Sequence, residues 1–419
     1  MVVMAEKEGI VNRTPDNQQL DDIAKDYVKL VLAVGLHDAS YVDAYYGPES
    51  WREKCQLQPL RSLKRDVAAL LGRLGALKLT GGDRRLLERQ EFLGKQLASV
   101  EYYINHLLGS ESCFATESTG LYDTQAEIFS PESFQPALDD IDCLLPGSGE
   151  LTGRFDAYRA QFIVPEHQIP KVFSAAVEKS RELTSTYIDL PENESFRIEF
   201  VNDKVWSAYN WYQGDYQSLI QLNQDQPLYL ERCMQLASHE GYPGHHLFNL
   251  LQERELVREA QWFEYAIYPL YSPISFLSEG SANYGLSLIM SDCELIEFEH
   301  EHLMPLAGMT GDIEHYHKVL RCYKQLAHLD NSVCQQLIDG KVSPNEAESL
   351  LVRFGLYSES RAKQRVKFYQ ANRAYVINYN HGEDSVARWV ERGEADKNER
   401  WKRFESLLKR PLMASQFVS

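Results

Sequence analysis

The chain has 419 residues, 44% of them hydrophobic, with 43 Lys and Arg against 61 Asp and Glu and a formal net charge of −18. That apolar share builds a sizeable core and excludes global disorder. So acidic a surface repels phosphate backbones, which excludes nucleic-acid binding through a broad basic face but leaves room for a local basic pocket.

Residues 1–16 are polar and aperiodic and are expected to be disordered. From Asp16 the pattern turns helical: Leu20, Ile23, Tyr27, Val28, Val31 and Leu32 fall three or four apart and share one face. Helical patterns follow over 60–77 and 84–108, with Asp83 placed to cap the second. Pro131, Pro136, Pro146 and Gly147–Gly149 mark a looser stretch, and another helix is expected over about 168–187. Phe196–Val201 alternates apolar and polar residues, a strand signal, and Tyr216–Asn223 is a second strand, with an aromatic-rich segment, Trp206–Asp215, between them. After Pro227 the helical pattern returns and holds to the C-terminus. There is no internal repeat and no low-complexity tract. The expected fold is mostly α with one small sheet near the middle, organised as an N-terminal helical lobe over 17–190 and a second, catalytic lobe over 191–419.

No run of about 18 apolar residues occurs, so no membrane span is expected. The N-terminus lacks the pattern of a secretory signal, and the seven cysteines are scattered with no C-x-x-C pair. Reduced thiols in a cytoplasmic protein are the expectation.

Chemistry concentrates just after the strands. Ser238-His-Glu-Gly-Tyr-Pro-Gly-His-His246 holds three of the twelve histidines, with Glu240 beside the first. Neutral imidazole is a good zinc ligand, and a glutamate next to an activated water is a natural general base. In the short H-E-x-x-H motif both histidines share a helix face. Here the second comes two positions late. On a straight helix His239 and His245 would point apart, about 9 Å along the axis, and His246 would lie about 10.5 Å away. Pro243 cannot donate to the carbonyl of His239, and Gly241 and Gly244 permit unusual backbone angles, so the segment is suited to bulge and could return His245 to His239. Downstream, Glu279 in Leu277-Ser-Glu-Gly-Ser-Ala opens an apolar helix-like run and is a workable third ligand. His300-Glu-His302 reads instead as a solvated charged face.

The segment His239-Glu-Gly-Tyr-Pro-Gly-His-His246, followed by Glu279-Gly-x-Ala, resembles the bacterial domain of unknown function 885 family, which is similar to the gluzincin zinc metallopeptidases. The resemblance is specific around 196–290 and weaker over Arg365–Gly382. It implies a largely helical, gluzincin-like fold with a deep cleft and hydrolysis of peptide bonds in short peptides, possibly from the carboxyl end. It makes His239, His245 and Glu279 the ligands of one Zn²⁺ per chain and Glu240 the general base. Tyr375, Tyr379 and His381 become candidates to stabilise the oxyanion, with His315 and His317 as rivals. The Tyr216–Asn223 strand could pair with an extended peptide, and Arg321, Arg361, Arg365 or Arg373 could take a substrate carboxylate. A non-peptide amide or ester hydrolase on the same metal, or a non-catalytic peptide-binding protein, are the alternatives.

Overall fold

Apolar periodicity decides most of the architecture. The computed structural model describes residues 15–79, 83–204 and 206–417. In chain order these form α1 (Pro15–Gly35), β1 (Val42–Tyr45), α2 (Glu49–Glu53), α3 (Leu60–Ala76), α4 (Arg84–Leu107), α5 (Phe114–Tyr122), α6 (Gln135–Leu144), α7 (Leu151–Arg159) and α8 (Ile169–Ser185). A sheet of β2 (Ser195–Val201), β3 (Ala208–Gly214) and β4 (Gln217–Asn223) follows, then α9 (Leu230–Leu236), α10 (His245–Gln252) and β5 (Ile267–Pro269). The remainder is helical: α11 (Pro273–Ile289), α12 (Asp292–Phe298), α13 (Met304–Ala307), α14 (Ile313–Lys324), α15 (Leu329–Ile338), α16 (Pro344–Gly355), α17 (Glu359–Asn372), α18 (Ile377–Glu391), α19 (Lys397–Leu408) and α20 (Ala414–Phe417). The fold is therefore mostly α with a small sheet. Among the described residues, no helix is long and apolar enough to cross a membrane.

Leu20, Ile23, Tyr27, Val28 and Val31 of α1 are buried as a stripe, as are Leu63, Val67, Leu70 and Leu74 of α3, and both helices pack on α4. The Asp83 carboxylate accepts from the Arg85 amide at 2.9 Å and so caps α4. Of the segment expected to be disordered, residues 1–14 lie outside the described residues, and α1 already begins at Pro15. Gly81 and Gly82, next to the cap, also lie outside them. The stretch read as loose contains α6, because Pro136 sits in its first turn, where a missing N–H costs nothing.

The boundary at 190/191 falls between α8 and β2, and the buried core runs continuously on both sides of it. β1 pairs antiparallel with β5, and the fully buried Arg89 grips Glu264 with bonds of 2.6 and 3.0 Å. Neither β1 nor β5 carries a strand signal, since three or four residues are too few to alternate. All seven cysteines are unpaired.

The sheet order is β2-β4-β3, with β2 parallel and β3 antiparallel to β4. The aromatic segment between the two expected strands is thus itself a strand. It makes β4 the central strand, so the expectation that Tyr216–Asn223 offers an open edge to a peptide is corrected: β4 is paired on both sides. The strand beside the histidine segment is β3, whose Asn210 side chain donates to the Glu240 carbonyl at 2.6 Å.

α11 is the central helix, buried along nearly its whole length and packed most extensively on α18. The two cross at glycine against glycine. A Cβ on Gly280 would lie 2.5 Å from the Gly382 carbonyl oxygen, so only glycine permits this approach.

Candidate metal centre

α9 runs straight into a π-helical turn, Ala237–Gly241. There the Tyr242 amide donates five residues back, to Ala237, at 3.3 Å, and the Gly244 amide donates to the Ser238 carbonyl at 2.9 Å. The Tyr242–Pro243 peptide is cis, and the chain re-enters helix at His245. A Cβ on Gly244 would lie 1.9 Å from the His239 carbonyl oxygen and 2.4 Å from that of Ser238, so the return is open to glycine alone. The expected bulge is thus a π turn followed by a tight reversal. It sets His239 Nε2 3.1 Å from His245 Nε2, with the rings perpendicular.

Glu279 completes a triangle from α11. Its Oε2 lies 3.5 Å from His239 Nε2 and its Oε1 3.7 Å from His245 Nε2. α11 starts at Pro273, so Glu279 is nearly two turns inside the helix rather than at its opening. Tetrahedral coordination with bonds of about 2.0–2.1 Å separates donors by roughly 3.3–3.4 Å. The two His–Glu contacts run to different Glu279 oxygens; with one ligand atom from each residue the three donors lie within 4.8 Å of one another, a spacing open to a small divalent ion. Glu279 Oε2 is buried and has no hydrogen-bond partner, an orphan that a cation would satisfy. The outer contacts also suit ligation. Ser278 Oγ lies 3.1 Å from His245 Nδ1, which fixes the ring with Nε2 inward, and the Tyr375 hydroxyl donates to Glu279 Oε1 at 2.9 Å.

The ligands differ in their electrostatics: burial lowers His239, but the Glu279 hydrogen bond and the Glu240 and Glu279 charges outweigh it and raise the ring above its ordinary value. Burial raises the Glu279 carboxyl, but the neighbouring His245 and His239 and the Tyr375 hydrogen bond outweigh it and hold the group ionised. Burial lowers His245 to about 4, which leaves a neutral imidazole with a free lone pair. Glu240 is buried, its carboxylate has no hydrogen-bond partner among the described residues, and desolvation with the Glu279 charge pushes it up to about 7. Even so, the His239 and His245 side chains retain 17% and 15% of their surface.

The other expected residues divide. Tyr375 touches Glu279, and Tyr379, four residues on, stacks edge-on against it at 5.6 Å while remaining partly exposed. His381 is not brought to the triangle. It lies about 200° around α18 from Tyr379, its Nε2 is 3.0 Å from Thr124 Oγ1, and it lines a separate groove with His328 and Asp384. The rivals are engaged elsewhere, His315 with the Leu144 carbonyl and His317 with Glu299. His300 and His302 are exposed, as expected of a solvated face. His246 is fully buried: Ser218 Oγ lies 2.8 Å from its Nδ1 and Glu194 Oε2 3.1 Å from its Nε2. It ties α10 to the sheet. Of the arginines considered for a carboxylate, Arg365 is paired with Asp330, Arg373 with Glu117 and Arg321 with Asp292, and Arg361 lies over Tyr357.

Two charged residues near the triangle escaped the sequence reading. Asp43 stands where the β1–β5 register slips between Val42 and Ala44, a bulge that re-aims its side chain. Burial and the charges of Glu279 and Glu240 push it up to about 7. Arg232, on α9, acts on both Glu240 and His239. Nothing around Asp43 in the sequence marks it. Arg232 could have been found by counting back seven residues, about two turns, from His239.

No family model matches the chain, and no curated protein matches it. Among solved structures it is similar to a candidate lipoprotein of Colwellia psychrerythraea, with 16% identity over 86% of this chain and 70% of that one and a TM-score of 0.47. It is also similar to a candidate lipoprotein of unknown function from Shewanella oneidensis, with 10% identity over 86% and 75% of the two chains and a TM-score of 0.43. Likenesses at this level carry no functional argument.

Proposed function

We propose that the protein is a zinc-dependent hydrolase acting on peptide bonds of short peptides. The observation that carries this reading is the His239, His245 and Glu279 triangle, its donors within 4.8 Å of one another, beside the unpartnered carboxylate of Glu240. Two imidazoles and a carboxylate suit zinc and leave a fourth position open. A zinc ion there would supply an acidified water and a Lewis acid for the scissile carbonyl.

The rest of the chemistry falls to the chain's own side chains. Glu240 is the general base. It receives the proton of the attacking water and delivers it to the leaving amine, a task that favours a proton affinity near neutrality. Tyr375 is a positioning residue, since its bond to Glu279 fixes the carboxylate's direction. Tyr379 is partly exposed, and its hydroxyl is available to donate to the oxygen on which charge develops. His239 and His245 are mostly buried yet retain 17% and 15% of their side-chain surface, so the triangle keeps some access to solvent.

The test begins with metal analysis of untagged protein. One zinc per chain, lost in His245→Ala, is expected. Glu240→Gln should then keep the zinc and lose hydrolysis of a short-peptide panel by about 10²–10⁴-fold. A protein that takes up no zinc on addition, or a Glu240→Gln variant with full activity, overturns the reading. Acyl-amino acids and simple amides in the same panel separate peptide from other amide substrates.

A further inference from the structure

We infer that Arg232 is the anchor for the free carboxylate of the substrate, so that the proposed hydrolase works one or two residues from a peptide's C-terminus. The inference rests on the hydrolase reading and names its substrate class.

Charge accounting around the triangle singles this residue out. Arg232 has no carboxylate within ion-pair distance among the described residues. Its one hydrogen bond goes to a neutral group, Gln235 Oε1, at 2.9 Å. The adjacent acid cannot serve it, because Glu231 accepts from Arg159 at 2.6 Å through Oε1 and from the Tyr316 hydroxyl at 2.7 Å through Oε2. A guanidinium set among protein groups and left without an anion loses solvation that no partner restores. A bound carboxylate would restore it with two parallel charge-assisted bonds.

The position suits that role. Arg232 precedes His239 by seven residues on one continuous helical segment, so the two side chains leave on similar faces, with a rise of roughly 10.5 Å. The arginine side chain covers part of that rise. The remainder takes one or two residues of extended peptide at roughly 3.3–3.6 Å each. A substrate carboxylate held at that distance would have Arg232 as its counterion.

The experiment compares N-acetylated tripeptides ending in a free carboxylate with the same peptides ending in an amide. Equilibrium binding is read on the zinc-loaded Glu240→Gln protein, and kcat/KM on the zinc-loaded wild type. Arg232→Gln is introduced into both, with zinc content and circular dichroism as controls. The free acid should bind and react about 10–100-fold better than the amide, the range of charge-assisted bonds. Arg232→Gln should erase that preference, bringing the ratio of acid to amide to about one. Should Arg232→Gln fail to fold, Arg232→Lys, which keeps the charge and loses the fork, should show a reduced preference. Equal binding of acid and amide by the wild-type site, binding of neither, or a preference that survives in Arg232→Gln overturns the anchor. Hydrolysis without a carboxylate preference refutes the anchor and spares the hydrolase. An Arg232-dependent preference in binding, with no hydrolysis by the wild type, supports the anchor and refutes the hydrolase.

Discussion

Gly244→Ala tests whether the π turn and its reversal exist to bring two histidines together. The added methyl carbon would sit 1.9 Å from the His239 carbonyl oxygen, and real Cβ atoms essentially never come closer than 3.0 Å, so the carbonyl must retreat by about 1.1 Å. That carbonyl belongs to a ligand. Passed to the ring, such a retreat opens the 3.1 Å gap between the two Nε2 atoms to about 4.2 Å. Two nitrogens with bonds of about 2.0–2.1 Å can span that distance only in a straight line through the metal, which Glu279 then cannot join. Loss of outer-shell partners alone typically costs about 10–100-fold in metal affinity, so displacing a ligand should cost at least about 100-fold. The overpacking itself should destabilise the apoprotein by about 1–3 kcal/mol. Zinc affinity is read by competition with a chromophoric chelator, with circular dichroism to confirm the fold. Gly72→Ala is the control, because a methyl group there meets nothing within 4 Å, and it should leave zinc binding unchanged. A folded Gly244→Ala protein with wild-type zinc affinity would refute the argument that the reversal builds the site.

Tyr375→Phe removes the donor to Glu279 Oε1 and should weaken zinc by about 10-fold or more in the same titration. His381→Ala should leave zinc content and peptide hydrolysis unchanged while costing about 1 kcal/mol through the lost Thr124 contact, seen in urea unfolding; a tenfold loss of hydrolysis would return His381 to the site. Gly280→Ala forces a methyl group against the Gly382 carbonyl and should lower stability by about 1–3 kcal/mol, measured by denaturant midpoint. The His246–Glu194 pair should make stability depend on pH. Burial lowers His246 below its ordinary 6.5, while Glu194, although raised by burial, is held below its ordinary 4.5 by bonds from His246, Tyr242 and Arg181. Both groups have depressed folded values, so their contributions are complete above those ordinary values and are lost as pH falls through them, first below about 6.5 and then below about 4.5. A Tm measured from pH 7.5 to 4 should therefore fall more steeply in wild type than in a Glu194→Gln, His246→Gln double variant, and parallel curves would contradict the pairing.

What the sequence revealed and what it hid follow from how far apart the interacting residues lie. The helices over 60–77 and 84–108 were legible because a stripe of apolar residues is a local, repeated signal, and each was found to within a residue or two. β3 was not, because Trp211, Tyr209 and Tyr212 interrupt the alternation that marks a half-buried strand, and β1 and β5 are too short to show one. At the metal centre the bulge could be anticipated from Pro243 between two glycines, whereas the choice of His245 over His246 came from the family resemblance and not from the residues themselves. Both follow Gly244, and what separates them is Glu194, some fifty residues earlier, which accepts His246 and withdraws it into the core. The arginines show the same limit from the other side. Arg365 and Arg373 were among the candidates for a substrate carboxylate, yet Asp330 and Glu117, each 35 or more residues away, neutralise them. Arg232 was not among them, and although Glu231 stands next to it in the sequence the two do not pair in the fold. Adjacent residues on a helix leave about 100° apart, so Glu231 turns inward to Arg159 and Tyr316 while Arg232 is left with only a neutral amide. Whether a charge is available for chemistry depends on what its neighbours in space have already claimed, and that information is distributed over the chain rather than written beside the residue.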